Sequence, residues 1–146
     1  MRELRPALFL MLFACGGGDG GSGPDDTANI SGAWNLEATG GNQSLNVACS
    51  AEADLSLNQS GESFNGTALN GNWGCFSLDA SEGSSIEGPM QTGSVSGDNV
   101  SYMHGPCTLT GTATGTPADS VNGTFSCIVP YQNQNVELTG VWRLTR

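Results

Sequence analysis

CTLTGTATGTPADSVNGTFSC, residues 107–127, is the stretch from which the fold can be read. Leu109, Gly111 and Ala113 alternate with threonines, and Val121, Gly123, Phe125 and Cys127 alternate with Asn122, Thr124 and Ser126. Such period-two patterning marks half-buried strands, and the Gly-Thr-Pro-Ala segment between them marks a turn. A turn centred on Pro117 sets Ala113 against Val121, Gly111 against Gly123 and Leu109 against Phe125. The same register places Cys107 opposite Cys127 on the apolar face. One pairing thus aligns the apolar residues and offers a disulfide, which predicts a Cys107–Cys127 bridge.

The pattern continues on both sides. Ile30, Trp34 and Leu36 share one parity, as do Leu55 and Leu57, Val100 and Tyr102, and Val136, Leu138, Trp142 and Leu144. Gly97-Asp98, with glycine first, suits a type II′ hairpin turn that pairs Val95 with Val100 and Gly93 with Tyr102. Ser60-Gly61 as a turn pairs Leu57 with Phe64 and brings Cys49 near Asn72. With Cys107 and Cys127 joined, the remaining pair is Cys49–Cys75. No window carries a helical stripe, so the chain reads as an antiparallel all-β domain. Glycines recur at strand-interior positions on the apolar parity: Gly32, Gly66, Gly93, Gly111, Gly123 and Gly140. Repeated there, glycine permits tight bending and leaves room for an aromatic neighbour.

The first strand carries Gly32-Ala33-Trp34 and the last Gly140-Val141-Trp142, with Gly-Thr strands such as Phe64-Asn65-Gly66-Thr67 between them. A chain that opens and closes on Gly-x-Trp resembles the meander barrels of the avidin and lipocalin type. The resemblance implies an up-and-down antiparallel barrel of about eight strands in which the first and last strands pair and so remove the exposed edges. The polar set that avidins use for biotin has no counterpart at matching positions, so that activity is not carried over. A β-sandwich is the alternative architecture.

Residues 1–14 carry Arg2 and Arg5 ahead of a short apolar core, Ala7 to Phe13. That core is too short to span a bilayer and reads as an export signal. Leu12-Phe13-Ala14-Cys15 resembles the lipobox of bacterial lipoproteins. The resemblance implies cleavage before Cys15, lipidation of Cys15, and a protein anchored by its N-terminal lipid in the cell envelope, with Gly16 after the cysteine pointing to the outer membrane. Residues 15–28 are Gly-, Ser- and Asp-rich and predict a tether, leaving residues 29–146 as one domain. An even count of cysteines beyond Cys15 agrees with an oxidising compartment.

The chain has 4 basic and 14 acidic residues and a formal net charge of −10. Beyond the signal there is no lysine, and the only arginines are Arg143 and Arg146. Nucleic-acid binding lacks its electrostatic footprint, and P-loop and Schiff-base chemistry lack their lysine. His104 is the sole histidine, so multi-histidine metal sites are excluded. Its H-x-x-C spacing to Cys107 competes with the disulfide. Glu52 and Asp54 lie on the parity opposite Leu55 and Leu57 and read as a solvent face rather than a glycosidase pair. The expectation is a noncatalytic protein without metal or cofactor. Trp34, Tyr102, His104 and Trp142 are the candidate ligand-binding residues, all on the inward parity. They line a cavity for a small apolar molecule, or they fill a solid barrel that serves as a structural or protein-interaction module of the envelope. In the second case contacts map to the segments Asp79–Gly88 and Val129–Asn135.

Overall fold

The structure, a computed structural model, describes residues 27–77, 81–131 and 133–146. The signal segment, Cys15 and most of the tether lie outside these residues. The strands run in chain order β1 (Gly32–Asn42), β2 (Val47–Ser60), β3 (Ser63–Phe76), β4 (Ser81–Pro89), β5 (Gly93–Ser96), β6 (Asn99–His104), β7 (Cys107–Thr114), β8 (Ser120–Tyr131) and β9 (Gln134–Thr145). A single 3-10 turn, Gln43–Leu45, joins β1 to β2; the Asn42 side chain caps it by accepting from Leu45 N–H.

Every ladder is antiparallel. Neighbours follow the order β1–β2–β3–β5–β6–β7–β8–β9, and β9 pairs with β1, with Leu36 opposite Leu144 and Gly40 opposite Gly140. This is a closed eight-stranded barrel with β4 as one extra strand on β3. The expected register of the 107–127 hairpin holds throughout, from Ala113–Val121 to Cys107–Cys127. At the β5–β6 turn Gly97 takes φ +57° and Val95 faces Val100; the ladder stops at Ser94–Ser101, before Gly93 and Tyr102.

The β2–β3 hairpin differs from the expectation. Its turn is Gly61-Glu62, not Ser60-Gly61, so Leu57 faces Gly66 and Gln59 faces Phe64. Gly61, at φ +60°, supplies the left-handed residue. Further along, β3 carries a bulge at Leu69-Asn70, with Asn70 at φ +51°. The turn moves the register by two residues and the bulge by one more, which brings Cys75 rather than Asn72 opposite Cys49. Both disulfides, Cys49–Cys75 and Cys107–Cys127, are formed. A second difference concerns the expected interaction segments. Ser81–Pro89 is strand β4, and residues 129–131 and 134–135 belong to the β8–β9 hairpin.

One pole of the barrel is sealed. Ile30, Trp34, Leu57, Phe64, Val95, Val100, Ala113, Ala118, Val121 and Leu144 are buried there in one cluster. Residues 28–31 cross this pole. Ile30 N–H donates to Gln59 Oε1 at 2.8 Å, Gln59 Nε2 donates to Ala28 O at 3.0 Å, and Ala28 N–H donates to Gly97 O at 2.9 Å. Trp34 Nε1 donates to Ile30 O at 2.7 Å, and the Arg146 guanidinium lies 4.4 Å from the Trp34 ring centroid.

Four of the six strand-interior glycines, Gly93, Gly111, Gly123 and Gly140, are seats for aromatic rings, as is Gly40, whereas Gly32 meets the Arg146 side chain and Gly66 meets Leu57 and the β2 backbone. A side chain at Gly123 or Gly111 would meet the Trp142 indole at 2.7–2.8 Å, and one at Gly40 or Gly140 would meet the Phe125 ring at 2.6–2.7 Å. Gly93 is likewise covered by Phe64. Across its pair of glycines, Trp142 Nε1 reaches Thr110 O at 3.1 Å and Thr124 O at 3.0 Å. The bending that glycine allows and the ring it accommodates are thus one arrangement.

Candidate functional site

The half of the barrel away from the sealed pole encloses a cavity of about 450 Å³. Its floor is the upper surface of the core: Leu55, Leu57, Phe64, Val100 and Leu144. Its walls carry Leu36, Ala38, Leu109, Phe125, Leu138 and Trp142, and all four disulfide cysteines line it. The inward alternation that builds the core continues upward here, but with smaller residues: Ala38 pairs with Ala51 on one side and faces Trp142 on the other. Too little side-chain volume then remains to meet across the barrel. The two disulfides cross neighbouring strands in this half, where packing contributes least to holding the wall.

One side of the wall is incomplete. β5 pairs with β3 at only two positions, Ser63–Ser94 and Phe64–Gly93, and β6 leaves β5 after Ser101. Beyond that point Tyr102, Met103 and His104 pair only with β7, while β4 pairs only with β3. Among the described residues no ladder joins β4 to β6. Residues from both separated edges line the cavity: Ser85 to Met90 on one, Tyr102 to Pro106 on the other, Met103 excepted. The cavity therefore reaches the surface along this seam as well as at the mouth.

Tyr102 is buried and touches both Phe64, at 6.1 Å between ring centroids, and His104, at 6.2 Å and nearly parallel. Its hydroxyl lies 3.3 Å from His104 Nδ1 and bonds with the Gln91 backbone in the β4–β5 connection. Burial pushes the phenol above its ordinary 10.0, and the Gln91 contact offsets part of that rise. His104 is exposed at the rim.

Three of the four residues singled out from the sequence come together here: Tyr102, His104 and Trp142 line the same cavity. Trp34 does not. It is 2% exposed, at the sealed pole, with its N–H already satisfied. Trp73, which sequence parity did not select, lines the cavity instead. The bulge centred on Asn70 reverses the parity of β3, so Gly71, Trp73 and Cys75 turn toward the barrel while Leu69 faces out; Trp73 is still 39% exposed. An Asn-Gly dipeptide inside a strand, Asn70-Gly71, is the signal that marks such a bulge. Ile86 and Met90, on and beside β4, complete the wall.

The two carboxylates of β2 lie outside the cavity lining. Glu52 and Asp54 are exposed and accept from Asn72 and Asn70 at 2.9 and 3.3 Å. Among the described residues there is no cluster of three or more His, Cys, Asp or Glu able to hold a metal. Tyrosine and tryptophan aside, no described polar or charged residue is buried. No protein-family model, curated protein or solved structure matches the chain, so the cavity is interpreted from its own geometry.

Proposed function

We propose that this protein is a noncatalytic binding protein of the bacterial cell envelope, anchored by lipid at Cys15, that holds a small apolar molecule inside its barrel. The observation that carries the reading is the apolar cavity of about 450 Å³ beneath the mouth, within the size range of small-ligand sites. Burying apolar ligand surface there is favoured at about 25 cal/mol per Å² before the costs of immobilisation are met. The lipobox-like Leu12-Phe13-Ala14-Cys15 supports the anchor, and two disulfides agree with an oxidising compartment.

Native mass spectrometry of the protein extracted from envelope tests the cavity directly. A defined extra mass that is lost on denaturation is expected, and Trp142→Ala should abolish it while the two disulfides survive. A bare chain mass, together with failure to bind an uncharged fluorescent naphthylamine, refutes the binding reading. For the anchor, Cys15→Ser should move the protein from the membrane to the soluble fraction; unchanged fractionation refutes lipidation.

A second reading, an envelope interaction module, is favoured by one observation. Leu45, Phe76, Met103 and Ile128 are large apolar residues, each at least 39% exposed, and all belong to the half of the barrel that bears the mouth. Such residues are ordinary singly and become informative only as a contiguous patch.

A further inference from the structure

The polar groups of the cavity are distributed unevenly. Inside, the wall is aliphatic, aromatic and disulfide. Glu87 and Ser85 of β4 also border it, but both are exposed and alternate with the inward Ile86; register places Ser85 beside Asn72 and Glu52 on the outer face. Tyr102 and His104 follow Val100 on the inward parity of β6, the other edge of the seam. A ligand that fills the interior with apolar surface therefore meets the Tyr102 hydroxyl and the His104 ring along this line.

The seam also has a definite charge character. Among the described residues no arginine or lysine lines the cavity. Arg143 is exposed on the outer face and spends its guanidinium on Glu37 at 2.7 Å. Arg146 is at the sealed pole, over Trp34 and donating to Ser31 O at 2.8 Å. An anionic head at the rim would find no arginine or lysine among the described lining residues and a chain whose net charge is −10. Like charge and unpaired desolvation both act against it. An uncharged head meets neither penalty, a cationic head escapes the like-charge one, and either finds the Tyr102 hydroxyl and the His104 ring as partners.

Building on the cavity reading above, we infer that the ligand is an amphiphile with a non-anionic head, a hydroxyl or an amine. Its apolar body occupies the barrel and its head lies at the seam beside Tyr102 and His104. Free fatty acids and phosphorylated lipids are disfavoured by the same rim.

The test is titration calorimetry of the purified, ligand-stripped protein with three probes of one chain length: decanol, decylamine and decanoate. The alcohol or the amine should bind at least about tenfold more tightly than the carboxylate, a difference of about 1.4 kcal/mol. Equal or tighter binding of decanoate overturns the charge assignment and leaves the cavity reading standing. If none of the three binds, and the uncharged naphthylamine does not bind either, the cavity reading falls and this inference falls with it. Tyr102→Phe then examines the rim itself: decanol affinity should fall while the uncharged naphthylamine still binds, and unchanged decanol affinity overturns the placement of the head at the seam.

Discussion

Filling the barrel by mutation gives opposite signs at two neighbouring positions if the cavity is real. Ala38 lines the cavity wall and is only partly buried, with Ala51 and Trp142 as its lateral neighbours. Ala53 is 5% exposed in the packed core, and its methyl lies 2.7 Å from where a Cβ on Gly71 would be. Ala38→Leu adds three carbons to empty space. At about 0.8 kcal/mol per buried carbon that is about 2.4 kcal/mol, less about 0.5–1 kcal/mol for fixing the leucine rotamer. The net expectation is a gain of about 1.5 kcal/mol. Ala53→Leu forces the same carbons into filled space and should cost about 1–3 kcal/mol. Urea unfolding of ligand-stripped protein, followed by tryptophan fluorescence, reads both. With a slope of about 2 kcal/mol per molar urea, Ala38→Leu raises the midpoint by about 0.7 M and Ala53→Leu lowers it by a similar amount or more. A midpoint that falls in both variants refutes the reasoning, because it means that the barrel is packed solid. Ala38→Leu should also weaken probe binding, which a purely stabilising surface change would not do.

The remaining expectations are more local. Replacing Cys107 and Cys127 by serine opens a loop with a sequence separation of 20, and replacing Cys49 and Cys75 opens one of 26. By loop-closure entropy each pair should cost about 3 kcal/mol in urea unfolding, and retention of the parent midpoint would count against this estimate. Tyr102 has a folded-state pKa raised above its ordinary 10.0, so the fold favours the protonated phenol. Its contribution is present in full below about pH 10 and is lost as pH rises through the folded value. Unfolding midpoints measured from about pH 9 to about pH 11 should fall more steeply in the parent than in Tyr102→Phe; parallel curves contradict the assignment. Gly111→Val places a branched carbon against Trp142 Cζ2 and Asn122 O, each 2.8 Å from an ideal Cβ. A loss of about 1–3 kcal/mol and a change in the near-ultraviolet dichroism of the indole are expected, and an unaltered spectrum would show that the ring does not rest on the glycine.

Where one face of a hairpin was apolar and its turn unambiguous, the sequence was sufficient. The 107–127 ladder has four inward pairs, one of them the bridging disulfide, all demanding one register, since a slip of one residue would turn every side chain over. The β2–β3 hairpin was less constrained, because Ser60, Gly61 and Glu62 permit two turn positions with the same inward parity. Only the ladder distinguishes Leu57–Gly66 from Leu57–Phe64. The bulge at Asn70 then altered parity without altering composition, which hid Trp73. β4 was unreadable for another reason: Ser81–Pro89 contains one large apolar residue, Ile86, because the strand has a neighbour on only one edge and a cavity behind it. Trp34 and Trp142 sit in matching Gly-x-Trp motifs, yet β1 and β9 run antiparallel. The register sets Trp142 against Ala38, four residues further along β1 than Trp34, and the two indoles part accordingly, one into the sealed core and one into the cavity wall.

The arrangement of the poles sets a direction for the whole molecule. The chain reaches the barrel through Ala28 at the sealed pole, and Arg146 closes over Trp34 at that same pole. From there β1 runs 11 residues to the mouth, about 36 Å at about 3.3 Å per residue. With the lipid proposed at Cys15, the attachment meets the barrel at its blind end, and the opening is the end farther from it. The proposal then has the ligand enter from the aqueous side, as into a vessel standing on its base. For the experimenter the same polarity is convenient: a tag joined before Thr27 or after Arg146 stands at the base and leaves the opening clear.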